Sequence, residues 1–320
     1  MTSPATVLTF GEALVGYASV EENLRTATHF TRFPGGADLN VAVALTHLGV
    51  RANWASVLGE DAHGDYLAEA IDQLGITPLV RRAAGPTALM FKAGGAAGDP
   101  EVLQVRHQTA FAQNADALLT GDVLALDGID HVHLTGITLG ISPVVRAVAL
   151  ALLEAAMAAR VSVSFDPNLR LNLWPDRDEM RTVVNTFAAQ ATVVMPGLGE
   201  GRLLTGSEDA ESIAKVYLAA GADEVVIKLG ARGAHAWSAD GQTARSHSFT
   251  VTPIDTVGAG DGFAAGYLAA FLTGGSLQER VDQAAAVGAL ATTRRGDLAA
   301  MPQREEVDAL LNTTEARNPL

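Results

Sequence analysis

The 320-residue chain is 48% hydrophobic and 18% charged, the balance of a well-buried globular protein rather than a disordered or fibrous one, and its length fits one large α/β domain over residues 1–320 with a modest insertion. The formal net charge of −14 argues against general affinity for nucleic acid or anionic membrane, whose phosphates the long-range field repels; an anionic substrate would need local basic residues. Cysteine is absent, which excludes disulfides, thiolate catalysis and cysteine-ligated metal centres; with no signal-peptide start at Met1-Thr2-Ser3-Pro4 and no uninterrupted apolar run of ~18 residues, a cytoplasmic location away from the membrane is expected.

Short apolar runs followed by helical patterns recur along the chain, the signature of β-α units whose parallel strands are buried on both faces. Val7–Phe10 is predicted as the first strand. Leu39, Val43, Ala44 and Leu48 then fall at helical spacing in a stretch that Gly49 ends, and Ala52–Leu58 is the next predicted strand. Further pairs are Ile129–Leu134 with Pro143–Arg160, Val161–Phe165 with Asp178–Ala189, and Val193–Met195 with Glu200–Leu204. Together they predict a doubly wound, mainly parallel sheet flanked by helices. Two stretches break the rhythm, Gly16–Phe33 and Pro86–His107, the latter with β-like runs Thr87–Ala93 and Val102–His107 around a Gly-rich turn. Insertions at about 16–33 and 86–107 are therefore expected to form a small β lid at the sheet edge; ordinary surface hairpins are the alternative. The polar tail from about Asn312 can bury little.

The segment that carries the chemistry is Asp255-Thr256-Val257-Gly258-Ala259-Gly260-Asp261-Gly262-Phe263, a glycine-rich turn opening a run of small residues at helical spacing. The first N–H groups of a helix lack internal partners, and glycines admit an anion to them, so Gly258, Ala259 and Gly260 are suited to a transferring phosphoryl group. In the same turn the Asp261 carboxylate is placed to take the proton of an attacking hydroxyl. A tight turn with a capping Asp is the plainer use of such residues. The nine-residue string as a whole, however, resembles the C-terminal signature of ribokinase-like sugar kinases, the phosphofructokinase-B family.

A second resemblance to that family lies in Gly35-Gly36-Ala37-Asp38-Leu39-Asn40-Val41-Ala42, followed by Leu48-Gly49 and Val57-Leu58-Gly59-Glu60-Asp61 with His63-Gly64. Gly35 and Gly36 let a ligand approach the backbone, and Asn40 offers donors and an acceptor to sugar hydroxyls. The likeness runs from about Val7 to Pro302. It implies a ribokinase-like fold, ATP and Mg²⁺ as cofactors, a small-molecule sugar beneath the lid, ATP beside the C-terminal signature and a homodimer formed through the lid. It also implies that Val225-Val226-Ile227-Lys228-Leu229-Gly230-Ala231-Arg232-Gly233-Ala234 is the nucleotide-side loop, with Lys228, Gly230 and Gly233 at the nucleotide, and that Asp255, with carbonyls around Val257 and near Arg294–Gly296, stands where such enzymes hold a monovalent cation such as K⁺.

Phe165-Asp166-Pro167-Asn168-Leu169-Arg170, with Leu173-Trp174, is similar to the string in 2-keto-3-deoxygluconate kinases of the family, which makes that sugar acid the best-matched substrate and Asn168 and Arg170 substrate residues. Arg170 suits either a substrate carboxylate or an ATP phosphate, or pairs with a neighbouring Asp. Arg106 corresponds to a lid arginine that helps hold the sugar acid. Two lid positions depart from the pattern, where Met90 and Gln104 stand in place of tyrosines. Pro196-Gly197-Leu198-Gly199-Glu200 resembles the Asn-x-x-Glu segment that organises magnesium, with Gly197 in place of Asn; Glu200 acts on Mg²⁺ through water or is a solvated glutamate at a helix start. The histidines show no pair at metal-ligand spacing on a convincing helix. A kinase for a neutral sugar such as fructose is the alternative enzyme, and a sugar- or nucleotide-binding regulator without transfer activity is the alternative of another class. A dinucleotide-binding dehydrogenase is discarded, because Gly11-Glu12-Ala13-Leu14 follows the first strand in place of G-x-G-x-x-G.

Overall fold

The computed structural model describes residues 4–94, 101–246, 248–313 and 317–318. The Gly-rich turn expected between the second pair of lid strands and His247 lie outside the described residues. In chain order the first half comprises β1 (Thr6–Phe10), β2 (Leu14–Ala18), β3 (Thr31–Gly35), α1 (Ala37–His47), β4 (Arg51–Gly59), α2 (Ala62–Ile71), β5 (Thr77–Ala83), β6 (Ala88–Ala93), β7 (Glu101–Val105), α3 (Ala110–Asn114), α4 (Gly121–Leu124), β8 (His131–Thr135), α5 (Gly136–Ile141) and α6 (Pro143–Ala159). The second half continues with β9 (Ser162–Asp166), α7 (Arg177–Ala188), β10 (Val193–Val194), α8 (Leu198–Thr205), α9 (Ala210–Ala220), β11 (Glu224–Lys228), β12 (Ala234–Ser238), β13 (Thr243–Arg245), β14 (Ser248–Phe249), α10 (Ala259–Leu272), α11 (Leu277–Ala291), α12 (Arg304–Asn312) and β15 (Arg317–Asn318).

The large sheet has nine strands in the order β13-β12-β11-β10-β9-β8-β1-β4-β5. Every pairing from β5 to β11 is parallel, and β12 and β13 add antiparallel strands at one edge. Both faces are covered, which is why β1 is buried at every residue. One core packs α1, α10, α11 and α12 on one side through Leu39, Leu45, Tyr267, Leu268, Val287 and Val307. The other gathers α6, α7 and α9 around Leu152, Val184 and Ile213. The fold is the expected doubly wound, mainly parallel α/β sheet flanked by helices.

Local chemistry sets the element ends. Asp61 caps α2 by accepting from Gly64 N, Ser142 caps α6 with Pro143 in its first turn, and α6 ends at Arg160 in the left-handed region. The tail carries one element that its composition did not suggest, since β15 pairs antiparallel with β14.

The lid is a separate four-stranded sheet in the order β3-β2-β6-β7. Its strands shift the expected bounds. The first pair begins at Leu14 and ends at Gly35, because the register Leu14↔Gly35 closes the hairpin two residues beyond each predicted end. The last strand stops at Val105 rather than His107, since its partner β6 begins at Ala88 and the final pair is Leu89↔Val105. Arg106 therefore leaves the strand and turns inward. His131 and His133 are fully buried on β8, bonded to Ser162 and Ser164 of β9, and burial pushes both down to about 3, so they are neutral core groups. No described helix is long and apolar enough to cross a membrane.

Candidate active site

The carboxyl ends of β1, β8, β9 and β11 converge beneath the lid, the position where open α/β sheets bind ligands. They lead to a cavity of about 520 Å³ walled by Gly36, Asn40, Met90, Gln104, Arg106, Asn168, Arg170, Glu200, Lys228, Gly258, Gly260 and Asp261. Against it lies a second, largely apolar cavity of about 410 Å³, walled by Lys228, Gly230, Gly233, Phe249, Val251, Ala259, Gly260 and Phe263. Lys228, Thr256 and Gly260 belong to both walls. A polar compartment and an apolar one thus meet at the start of α10. All but one of the expected substrate and nucleotide residues stand in these walls.

The exception is Gly35, whose flank faces the Asp297 carboxylate at 2.5 Å from where a Cβ would be. Its neighbour Gly36 is held at φ 146, where a Cβ would fall 2.5 Å from the Glu12 carbonyl, so the backbone admits only glycine there without rearrangement. At Gly260 a Cβ would point toward Lys228 Nζ at 3.8 Å, into the junction of the two cavities.

Asp261 lies in the first turn of α10, whose N-cap Gly258 is left-handed at φ 83. Asn40 Nδ2 donates to one carboxylate oxygen at 2.8 Å and Asn168 Nδ2 to the other at 3.2 Å. Asn168 achieves this from φ 35, a conformation Asn tolerates better than most residues. Burial pushes the Asp261 carboxyl up to about 7; the Asn40 bond and Arg170 oppose the rise, while Asp166 and Asp297 reinforce it. A base poised there is matched to proton abstraction near neutral pH. The first N–H groups of the same helix lack intrahelical partners, an arrangement suited to an anion.

The cationic side chains differ in how far their charge is already met. Lys228 Nζ donates to Asp166 Oδ2 at 2.6 Å; burial alone would lower its pKa, but Asp166, Glu200 and Asp261 outweigh that and hold it above the usual range. Arg106 is as inward-facing as expected, 4% exposed, yet its Nε lies 3.3 Å from Glu12 Oε2. Its Nε and Nη1 have no hydrogen-bond partner, and burial holds its pKa below the ordinary arginine value. Arg170 borders the cavity with no carboxylate within ion-pair distance among the described residues; its Nη1 donates to the Leu169 carbonyl. The reading in which Arg170 merely pairs with a neighbouring Asp is thereby set aside.

Glu200 is not a solvated helix-start residue. Its two oxygens accept from Leu169 N at 2.6 Å and Gly197 N at 2.7 Å, and burial raises its pKa. Gly197 therefore serves as the N-cap of α8 through its backbone, without an Asn side chain. No group of three or more His, Asp or Glu positioned for a metal ion occurs among the described residues. Asp166 and Glu200 in the cavity wall nevertheless suit Mg²⁺, which keeps most of its water and is held by one or two carboxylates and the nucleotide's phosphates. Asp255, expected at a monovalent cation, accepts instead from Lys92 Nζ at 2.6 Å.

Sequence reasoning passed over Glu12, Asp38, Lys92 and Asp297. Asp38 is buried beside Thr135 and Thr138, both of which donate to it, and burial pushes it up to about 7. Asp297 is pushed up to about 6 by burial despite Lys92.

The pfkB family carbohydrate kinase model matches residues 5–304. The chain belongs to that family. It is 34% identical over 309 residues to a "2-dehydro-3-deoxygluconokinase" of Bacillus subtilis (strain 168), covering 95% of each chain, and 31% identical over 320 residues to a "Probable fructokinase-4" of Arabidopsis thaliana, covering 95% of this chain and 96% of the other. Among solved structures it resembles a PfkB protein from Polaromonas sp. JS666 at TM-score 0.85 and 37% identity, over 95% of this chain and 99% of that one. A putative ribokinase II of E. coli in complex with ATP and Mg²⁺ superposes at TM-score 0.86 with 25% identity, over 96% and 99%. The chain is an ATP-dependent sugar kinase, and the two neighbouring compartments at the start of α10 have room for two small-molecule ligands.

Proposed function

We propose that this kinase phosphorylates a sugar acid, 2-keto-3-deoxygluconate, with Asp261 as the base and Gly258, Ala259 and Gly260 as the turn that receives the transferring phosphoryl group. The observation that carries the substrate class is the presence of two guanidinium groups, Arg106 and Arg170, in the wall that also contains Asp261, one of them without a carboxylate partner. In a chain of net charge −14, an uncompensated cation at the ligand is a specific counter-charge. Gly36, Asn40, Met90, Gln104 and Asn168 complete the sugar compartment, and Lys228, Gly230 and Gly233 form the nucleotide side. Mg²⁺ bound with the nucleotide neutralises charge on its phosphates; Asp166 and Glu200 are the residues placed to hold its water shell. Small-molecule chemistry of this kind fits a cytoplasmic setting.

Arg170 is the residue to truncate, because removing Arg106 would strand Glu12 as an unpaired buried carboxylate. If Arg170 holds the substrate carboxylate, Arg170→Ala lowers kcat/KM for 2-keto-3-deoxygluconate by roughly 1.5–3 kcal/mol in transition-state terms and that for fructose much less. Equal losses on both sugars assign Arg170 to the ATP phosphates, and a parent enzyme that prefers fructose replaces the sugar-acid reading with the neutral-sugar one.

A further inference from the structure

Asp255 stands six residues before Asp261, and its second oxygen accepts from Val257 N at 3.1 Å, so this carboxylate shapes the turn that leads into Gly258. It is nearly buried, with 9% of its side chain exposed, and a buried carboxylate needs a counter-charge. Related enzymes are expected to meet that need with a monovalent cation. Here the donor is Lys92, which arrives from 163 residues away on lid strand β6. Its ammonium bonds to Asp255 Oδ2 at 2.6 Å, lies 3.6 Å from Asp297 Oδ1, and sits over the Phe33 ring of β3 at 4.8 Å. The Lys92 ammonium thus already supplies the positive charge between Asp255 and Asp297, and a monovalent ion added at that carboxylate would meet its repulsion, so the residues present do not fit one.

We infer that Lys92 is a tethered ammonium that takes the place of a monovalent cation at the phosphoryl-binding turn, so that phosphoryl transfer in this kinase does not require K⁺. Because β6 is paired with β2 and β7, this counter-charge is carried by the lid sheet rather than by the sheet that bears the turn. Lys92 itself lines neither compartment; it reaches the larger one only through the wall residue Asp297, and it is a positioning residue.

The test compares the full-length protein with Lys92→Met, an uncharged side chain of similar length, at saturating ATP and Mg²⁺ with the best accepted sugar. Rates are measured in buffer whose only monovalent cation is tetramethylammonium, then with K⁺ or ammonium added. The parent is expected to hold its kcat on K⁺ removal. Lys92→Met is expected to lose at least about tenfold in kcat, with a smaller change in the ATP KM, and to recover part of it with K⁺ or ammonium. K⁺ should also raise the melting temperature of Lys92→Met and leave the parent's unchanged, a readout independent of turnover. A parent that loses activity without K⁺ overturns the inference, as does a Lys92→Met variant that keeps full kcat in tetramethylammonium or that K⁺ and ammonium do not rescue. If Lys92→Met does not fold, the parent's response to K⁺ decides alone. A parent inactive on every sugar under all salts would instead count against kinase activity itself.

Discussion

Asp261 carries two opposite demands. Its carboxyl is buried and pushed up to about 7, which suits a base but leaves a charge under cover at higher pH. kcat/KM is expected to rise with pH through about 7 as the carboxyl ionises, and Asp261→Asn to lose roughly 10²–10⁴-fold in kcat, because the amide keeps the shape and cannot take the proton. Stability should run the other way. The folded-state values of Asp38 and Asp261, both about 7, and of Asp297, about 6, lie above the unfolded carboxylate range, so the native state binds more protons than the unfolded chain between about pH 4 and 7. Their contribution is complete below the unfolded values and is lost as pH rises through the folded ones. Asp261→Asn should therefore melt at a higher temperature than the parent at pH 8, with the gap closing toward pH 5; a calorimetric pH series on both proteins checks this. Near-parental turnover by the variant removes Asp261 from the role of base.

Asp61 makes two of the polar bonds that fasten the lid to the main sheet. Besides capping α2, it accepts from Thr87 N at 2.8 Å and Thr87 Oγ1 at 2.7 Å, just before β6 begins. These bonds hold its pKa down even though partial burial acts against them. Asp61→Ala should cost about 0.5–2 kcal/mol of unfolding free energy and raise the sugar KM more than the ATP KM, because the strand carrying Met90 and Lys92 loses its fastening while the nucleotide wall does not touch it. Denaturant titration and steady-state kinetics measure both. At this scale the sequence was highly legible where one element carries its own signal. The 3.6-residue spacing of Leu39, Val43 and Ala44, the Gly258–Gly260 turn and the buried strand of Val7 each announce themselves locally. Lys92–Asp255, Thr135–Asp38 and Arg106–Glu12 do not, since each pairs residues about a hundred or more positions apart and only the closed topology brings them together. The two lid arginine and lysine partners were missed for that reason, while Asn40 and Asn168 were found through the segments that contain them, although their shared partner Asp261 was not foreseen.

For the whole molecule, the lid leaves an apolar face uncovered. Leu103 and Val105 share one face of β7 and are 54% and 46% exposed, and β7 is the edge strand of the lid sheet, with no strand paired to its outer side among the described residues. We propose that two copies join through this edge, which is consistent with the homodimer that the family resemblance implies. Light scattering after size exclusion should give twice 33.2 kDa for the parent and a lower mass for Leu103→Glu, whose charge would be placed in the contact; an unchanged mass rejects this edge as the interface.

The shared wall of Lys228, Thr256 and Gly260 makes the two compartments neighbours across the start of α10. A single compound with a sugar-acid head and an adenosine tail, joined by a short anionic bridge laid across Gly260, would engage both compartments at once. Its second contact would form at the effective concentration of a tethered ligand rather than at that of a free one, so its affinity could exceed either fragment's by orders of magnitude without any new contact. The bridge length that binds best would then serve as a ruler for the distance the phosphoryl group crosses.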